Sequence, residues 1–197
     1  MCKDKCQEAL GYWTIGLQYL HLVEAVIAET VAQRNAHVVV SDEEISWDQY
    51  ERDTKWADHR IVIPVLFDFY HGIEVILKGF LVAAGAPLDT NHRLSQLVSA
   101  FEEQFPGHAI GVTAKKYIAQ DKLPEVLASF CKTSGITIDD YYQALKYPQS
   151  TRGNVYKHYP LKYRGEEGVP FFEDLAKDIS EAVPKIVALG RSICPLA

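Results

Sequence analysis

Tyrosines and cations are concentrated between residues 141 and 164 of this 197-residue sequence. The segment contains six Tyr, five Lys or Arg and no Asp or Glu, although the whole chain carries a formal net charge of −6. A charge separation of this kind creates a local field that attracts anions such as phosphate. The interleaved rings also suit single-stranded nucleic acid, because rings stack on bases while cations neutralise the backbone. The candidate RNA- or phosphate-binding residues are Lys146, Tyr147, Tyr156, Lys157, Lys162 and Arg164.

Arg152 and His158 lie within this segment and are separated by five residues. A histidine can take or give the proton of a ribose 2′-hydroxyl, and an arginine can hold the phosphate whose charge grows during the attack. The pair could therefore cleave RNA without a metal, with Asn154 orienting one of the two side chains. The alternative for the whole segment is a structural loop, whose tyrosines cover the protein core and whose cations face the acidic remainder of the chain.

Helical periodicity in the rest of the chain indicates the elements that must position these residues. Apolar residues recur at helical spacing from Leu10 to Val31, which predicts a long helix that is covered on much of its circumference. A second long helix is predicted from Ile63 to Ala84, with Pro64 in its first turn, where no amide partner is lost.

The remaining segments are shorter or irregular. Shorter helices are predicted over residues 94–105, 124–130 and 138–147, and a last helix from Pro170 onward with a kink at Pro184. Residues 41–60 form a peripheral acidic excursion, and residues 148–169 form a basic, Tyr-rich loop. Strand patterns are too short for a sheet. We therefore predict an all-α fold, a helical bundle with two long central helices and several shorter helices, in a single domain that spans residues 1–197.

Composition excludes several classes of protein. With 48% hydrophobic and 23% charged residues, the chain is neither disordered nor of low complexity. The uncharged stretch over residues 9–23 is shorter than the ~20 apolar residues that span a bilayer, so no membrane helix is expected. The first residues lack the apolar stretch of a secretory signal, which predicts a cytoplasmic protein. The cysteines, which are expected to be free thiols, are Cys2, Cys6, Cys131 and Cys194.

A resemblance to a known superfamily rests on the second long helix and the residues after it. The run FYHGIEVILKGFL at residues 69–81 is followed by HRLSQL at residues 92–97. This order resembles the HEPN superfamily (higher eukaryotes and prokaryotes nucleotide-binding). In that superfamily a long helix carries a Glu and then Leu-Lys, and a His-x-Leu-x-x-Leu turn opens the next helix. The phrase LKYP at residues 145–148 also resembles the Leu-Arg-Tyr-Pro of some members. The resemblance implies a structural or site-supporting role for Glu74, Lys78 and His92.

The resemblance also implies a homodimer and an activity. Its catalytic members are metal-independent endoribonucleases of defence or toxin–antitoxin systems, in which an Arg and a nearby His meet their symmetry mates across the dimer interface. Arg152 and His158 match that motif by chain order, although Gly153 follows the Arg where the family commonly has a polar residue. Arg52 with His59 is a second match, but it precedes the long helix. The expected ligand is RNA or a nucleotide, and no cofactor is expected.

Two other classes of function remain open. The chain could be a non-catalytic accessory protein whose acidic body binds a basic partner protein. It could also bind a metal, because His21 with Glu24 and His71 with Glu74 each place a His and a Glu one turn apart on a long helix. In the structural alternative to the metal site, Glu74 is a partly buried acid paired with Lys78 or with a cation of a packed helix, and His21 and His71 cap the edge of the core.

Overall fold

The computed structural model describes residues 3–87 and 92–195. The α-helices are α1 (Lys3–Ala32), α2 (Trp47–Asp53), α3 (Asp58–Ala84), α4 (Leu94–Gln104), α5 (Ala109–Ile118), α6 (Glu125–Ser134), α7 (Tyr141–Ala144) and α8 (Val169–Ile193). Short 3₁₀ turns lie at Ile138–Asp140, Tyr159–Leu161 and Gly165–Gly168. The described residues contain no β-strand, and one isolated antiparallel bridge joins Gln149 to Val155. The predicted all-α helical bundle is confirmed.

The two long helices, α1 and α3, lie antiparallel and in close contact. Trp13 of α1 packs over Gly79 of α3, and Gly16 packs beside Gly72 and Ile76. A Cβ atom at Gly16 would lie 2.5 Å from Cγ1 of Ile76, which is closer than packed carbon atoms come. Glycine at this position therefore lets the two helix backbones approach each other.

Helix α3 is the centre of the hydrophobic core. Its residues Ile76, Leu77 and Phe80 have no exposed surface. Helices α1 and α4 pack directly against it, and the Phe80 ring lies 4.9 Å from Trp13 of α1 and 5.6 Å from Phe101 of α4, measured between centroids. Burial of large apolar side chains is the main favourable contribution to folding, so α3 is the rigid element on which a site can be built.

Some helix boundaries differ from the predicted ones. Helix α3 begins at Asp58, so Pro64 lies inside the helix, where it is exposed, and not in its first turn. The helix predicted over residues 138–147 is a 3₁₀ turn followed by α7, which ends at Ala144. Helix α5 has no counterpart among the predicted helices. Helix α8 continues through Pro184 to Ile193.

Asp58, the first residue of α3, is a buried carboxylate that joins three parts of the chain. It accepts hydrogen bonds from the backbone N–H groups of Tyr163 at 2.7 Å and Arg164 at 2.8 Å. The side-chain amide of Asn35, which follows α1 with a left-handed φ of 50°, donates to it at 2.9 Å. Because a buried carboxylate is stable only when its oxygens are satisfied, Asp58 fixes residues 163 and 164 over the first turn of α3.

Cys6 and Cys194 form a disulfide that joins the start of α1 to the end of α8, with Cα atoms 5.6 Å apart. The prediction of free thiols is wrong for this pair, because the bundle brings together residues that are 188 positions apart. Cys131 is a free, buried thiol, as predicted. Cys2 lies outside the described residues.

Helix α1 is long and apolar enough to cross a membrane when only its length and composition are considered. Core helices of soluble proteins and signal sequences pass the same test. Because α1 packs along α3, its apolar face has a partner within the described part of the chain. The expected absence of a membrane helix and the cytoplasmic location stay predictions.

Reduction of the Cys6–Cys194 disulfide should lower the free energy of unfolding by about 4 kcal/mol, because a cross-link over a long stretch of chain restricts the unfolded state. Urea denaturation with and without a reductant, followed by circular dichroism, measures the difference. The Cys6→Ser variant should already unfold at the reduced midpoint and should not respond to the reductant. If the reductant does not change the free energy of unfolding of the wild-type protein, the pairing of Cys6 with Cys194 is contradicted.

Candidate anion-binding site

The basic segment begins with a tight hairpin after α7. The backbone N–H of Tyr156 donates to the Pro148 carbonyl at 3.0 Å, and that of Ser150 donates to the Asn154 carbonyl at 2.8 Å. Gly153 takes a left-handed φ of 82° at the tip, a conformation that glycine adopts without steric cost. The chain then returns along the bundle towards the first turn of α3, where Asp58 holds it.

A pocket of about 290 Å³ opens between this segment and the start of α3. Its basic and imidazole side chains, which we call the cationic pocket, are His59, Arg60, Lys146, His158 and Lys162. Apolar residues, Tyr147 and Pro148 complete the wall, and no Asp or Glu among the described residues lines it. Three permanent cations in a wall without carboxylates make the pocket a local attractor of anions.

His59 lies in the first turn of α3, and its ring stacks on Tyr163 with centroids 5.0 Å apart. Its Nδ1 atom is buried and has no hydrogen-bond partner in the described structure. Burial lowers the pKa of His59, and the charges of Arg60, His37 and Lys162 lower it further against the opposing charge of Asp58. The imidazole is therefore neutral at pH 7 in positively charged surroundings.

His158 lies on the opposite wall of the cationic pocket. Its Nε2 atom is 2.6 Å from the carbonyl oxygen of Ala144, and since a carbonyl only accepts, Nε2 carries the proton and donates. The ring also stacks on Phe130 of α6 with centroids 5.4 Å apart. These two contacts fix the ring orientation and leave Nδ1 as the second ring nitrogen available to a ligand.

The other predicted catalytic residues lie apart from this pocket. Arg152 and Asn154 are exposed at the hairpin tip and do not line the pocket that contains His158. Within one described chain, the predicted Arg152–His158 pair is therefore not assembled in a common pocket. The motif lies in the hairpin and not on a helix, because Pro148 and Gly153 interrupt helical backbone.

The predicted RNA-binding residues separate into three groups. Lys146, Tyr147 and Lys162 line the cationic pocket. Lys157 and Arg164 are exposed outside it. Tyr156 is only 8% exposed and packs into the core, so its ring offers packing area and no stacking surface for a base.

Three tyrosines in and next to the segment that lines the cationic pocket are exposed. Tyr147, which lines it, is 46% exposed, and Tyr163, which stacks on His59, is 62% exposed. Tyr159 is 65% exposed on the intervening 3₁₀ turn. An exposed ring next to a cation is the arrangement that binds bases of single-stranded nucleic acid.

Glu74 of α3 is a second buried carboxylate and is the centre of a polar cluster. It accepts hydrogen bonds from Nζ of Lys78 at 2.6 Å and from the hydroxyl of Tyr141, and Nδ1 of His92 lies 2.8 Å away. Of the structural alternative to the metal site, the pairing of Glu74 with Lys78 is present. His71 is more distant, with Nδ1 3.8 Å from Oε2 of Glu74.

Burial alone would raise the pKa of Glu74, but the side chains of His71, Lys78 and Tyr141 outweigh it and lower the pKa to about 2. Glu74 is therefore ionised at neutral pH and can only accept hydrogen bonds. It follows that Nδ1 of His92 carries a proton. The cluster ties α3 to the start of α4 and to α7.

Tyr142 links the Glu74 cluster to the cationic pocket. Its ring stacks on His92 with centroids 4.1 Å apart and an interplanar angle of 5°. Nζ of Lys146, which lines the pocket, lies 4.7 Å from the same ring and 5.6 Å from the ring of Tyr147. These cation–π contacts hold Lys146 at the pocket through a chain of packed rings.

The described side chains do not have the geometry of a metal site. Across residues 3–87 and 92–195, no three His, Cys, Asp or Glu side chains converge as metal ligands. His21 is exposed on α1, whereas Glu74 is buried and bonded to donors of its own cluster.

Sequence reasoning missed Arg60 and rejected His59 because of its position before the long helix. The tertiary structure places both beside His158, since residues 159–164 return to the start of α3. The sequence does show Asp58, His59 and Arg60 in succession before the second long helix. It does not show which distant segment packs over these three residues.

No family model, curated protein or solved structure matches this chain. Membership of the HEPN superfamily stays a prediction from the motifs at residues 69–81, 92–97 and 145–148.

Acidification should test the Glu74 cluster. The pKa of Glu74 is about 2 in the folded protein, against 4.5 for an ordinary glutamate such as that of the unfolded chain. The ionised carboxylate therefore stabilises the folded protein above pH 4.5, and this stabilisation is lost as the pH falls towards 2. Between those values the wild-type protein should lose about 3 kcal/mol more unfolding free energy than Glu74→Gln. Urea denaturation at each pH measures this.

The exposed Glu103 of α4 supplies the matched control. Glu103→Gln should keep the wild-type dependence on pH. Equal slopes for the wild type and Glu74→Gln would contradict the assignment of an ionised, hydrogen-bonded Glu74.

Proposed function

We propose that this protein binds RNA or a nucleotide by placing a phosphate in the cationic pocket. The observation that carries the proposal is the composition of that pocket, in which His59, Arg60, Lys146, His158 and Lys162 converge and no carboxylate joins them in the wall. Its volume of about 290 Å³ is at the small end of ligand pockets, as a site for one phosphate group and its sugar requires.

The surrounding rings favour a nucleic acid over a simple inorganic anion. Tyr147, Tyr159 and Tyr163 are all substantially exposed, although the neighbouring Tyr141 and Tyr156 are buried. Exposed rings contribute nothing to the core, so their position beside cations is explained when bases stack on them. The acidic remainder of the chain repels a polyanion elsewhere and directs it to this face.

Neutralising the pocket lysines should weaken RNA binding. In Lys146→Gln and Lys162→Gln, the affinity for a short single-stranded RNA should fall several-fold at low salt. The slope of log affinity against log salt should decrease by about 0.7 for each phosphate that the variant no longer neutralises. Fluorescence anisotropy over a range of salt concentrations measures both quantities.

Lys177, exposed on α8, is the matched control. Lys177→Gln removes the same charge from another face and should bind as the wild type does. If all three variants lose affinity equally, binding reflects net charge and not this pocket.

Removal of a stacking ring should weaken binding without changing the salt slope. Tyr163→Ala should lose about tenfold in affinity, because stacking on one base contributes about 1–3 kcal/mol. Tyr163→Phe keeps the ring and should retain affinity. The same anisotropy assay distinguishes the two variants, and equal losses would show that the hydroxyl matters and the stacking surface does not.

A non-catalytic interaction protein is the second candidate. A groove of about 740 Å³ between α1 and α8 is lined by apolar residues, among them Leu10, Trp13 and Ile186. Leu10, Ile15 and Leu22 of α1 are each about half exposed. This surface favours a protein partner, and the homodimer expected from the resemblance is one such assembly. RNA binding that is absent at low salt would favour this second candidate.

A further inference from the structure

We propose that His59 and His158 act as an acid–base pair that cleaves a bound RNA within a single chain. This inference rests on the proposed RNA binding and adds a reaction to it. It differs from the expectation based on the resemblance, in which Arg152 and His158 meet across a dimer interface. The structure places a different arginine, Arg60, and a second histidine beside His158.

The first support is the position of the two imidazoles. Both line the same pocket of about 290 Å³, His59 from the first turn of α3 and His158 from the segment that folds back over it. Each ring is held: His59 by stacking on Tyr163, and His158 by its hydrogen bond to Ala144 and its stacking on Phe130. Groups that transfer protons must be fixed in this way relative to the bond that breaks.

The second support is the charge around the pair. Arg60 and Lys162 line the same pocket, and Lys146 is held at its wall by Tyr142 and Tyr147. A phosphodiester gains negative charge on its oxygens as an internal nucleophile attacks, and fixed cations stabilise that charge. Arg60 is also anchored, since its Nε donates to Thr54 at 3.2 Å and its guanidinium lies 3.7 Å from Glu51.

The reaction balances without a metal. Neutral His59 removes the proton of a ribose 2′-hydroxyl while the 2′-oxygen forms a bond to phosphorus. The bond between phosphorus and the 5′-oxygen of the next nucleotide breaks, and that oxygen takes a proton from Nδ1 of His158, which must carry one there in addition to the Nε2 proton donated to the Ala144 carbonyl. Exchange of protons with water then returns both histidines to their starting states. The products are a 2′,3′-cyclic phosphate and a 5′-hydroxyl end, and no oxidant, reductant or co-reactant is consumed.

The surroundings of His59 assign it the role of base. The groups that face it are Asp58 and Arg60 of α3, His37 after α1, and Lys162 and Tyr163 of the returning segment. Burial lowers the pKa of His59 below 6.5, and the cationic neighbours add to this, while Asp58 opposes it. In the protein without RNA the ring is therefore mostly neutral at pH 7 and can accept a proton.

The experiment uses the full chain and a mixed-sequence single-stranded RNA in EDTA, with analysis of the product ends. The wild type should form cyclic phosphate and 5′-hydroxyl ends. His59→Gln and His158→Gln should each cleave at least about 100-fold more slowly, a loss that exceeds any change in their affinity for the RNA in the anisotropy assay. The matched control His21→Gln, which changes an exposed histidine of α1, should cleave at the wild-type rate.

The outcomes separate this inference from the proposed function. A wild type that binds RNA with a steep salt dependence but does not cleave it would overturn the acid–base pair and leave the proposed binding intact. A wild type that neither binds nor cleaves would overturn both. Unchanged cleavage in His59→Gln, with loss in His158→Gln, would also overturn the pair.

Two further measurements test the pair, and the first of them needs no variant. The wild-type rate should fall as the pH is lowered, with a midpoint below pH 6.5, because the lowered pKa of His59 sets this dependence. A mixture of His59→Gln and His158→Gln should remain inactive, since each chain lacks one member of the pair. Activity restored by mixing would show that the two histidines act across chains and would overturn the single-chain assignment.

Discussion

The arrangement of this protein depends on two carboxylates buried along one helix. Asp58 and Glu74 of α3 are each 1% exposed, and such groups are stable in a protein interior only when donors satisfy them. The donors of Asp58 come from the end of α1 and from residues 163 and 164. Those of Glu74 come from Lys78 one turn along α3, from His92 before α4 and from Tyr141 of α7. Satisfying the two acids therefore brings the later half of the chain back onto α3.

The cationic pocket is a consequence of this constraint. With Tyr141 bound to Glu74 and Tyr163 bound to Asp58, the intervening residues must extend along the same side of α3. That path lays Lys146, His158 and Lys162 against His59 and Arg60. The positive charges lie close together because hydrogen bonds to buried acids hold the segment there, and the adjacent carboxylate, Asp58, is engaged by backbone N–H groups. A pocket with an excess of positive charge is the condition under which an anionic ligand gains most from binding.

Much of the fold could be predicted because helical periodicity is a local signal. The apolar stripes of α1, α3 and α8 identify those helices, and the left-handed Gly85 ends α3 where the pattern stops. Local signals failed where the structure is decided by distant contacts. The Cys6–Cys194 disulfide depends on the start of α1 lying next to the end of α8. Tyr156 and Tyr163 look alike in sequence, yet one is buried and the other exposed, because only the packing of the segment on α3 and α6 distinguishes them.

By itself, the sequence determined the helical class of the protein, the two long helices and the segment in which tyrosines and cations are concentrated, because residue spacing and charge are properties of short stretches of chain. The tertiary structure alone decided which residues of that segment meet. It placed Arg152 and Asn154 at an exposed hairpin tip, and it placed His158 and Lys162 beside His59 and Arg60, about a hundred positions earlier in the chain. The physical reason is that the donors to a buried carboxylate come from distant parts of the chain, and the donors to Asp58 and Glu74 hold both ends of this segment on α3.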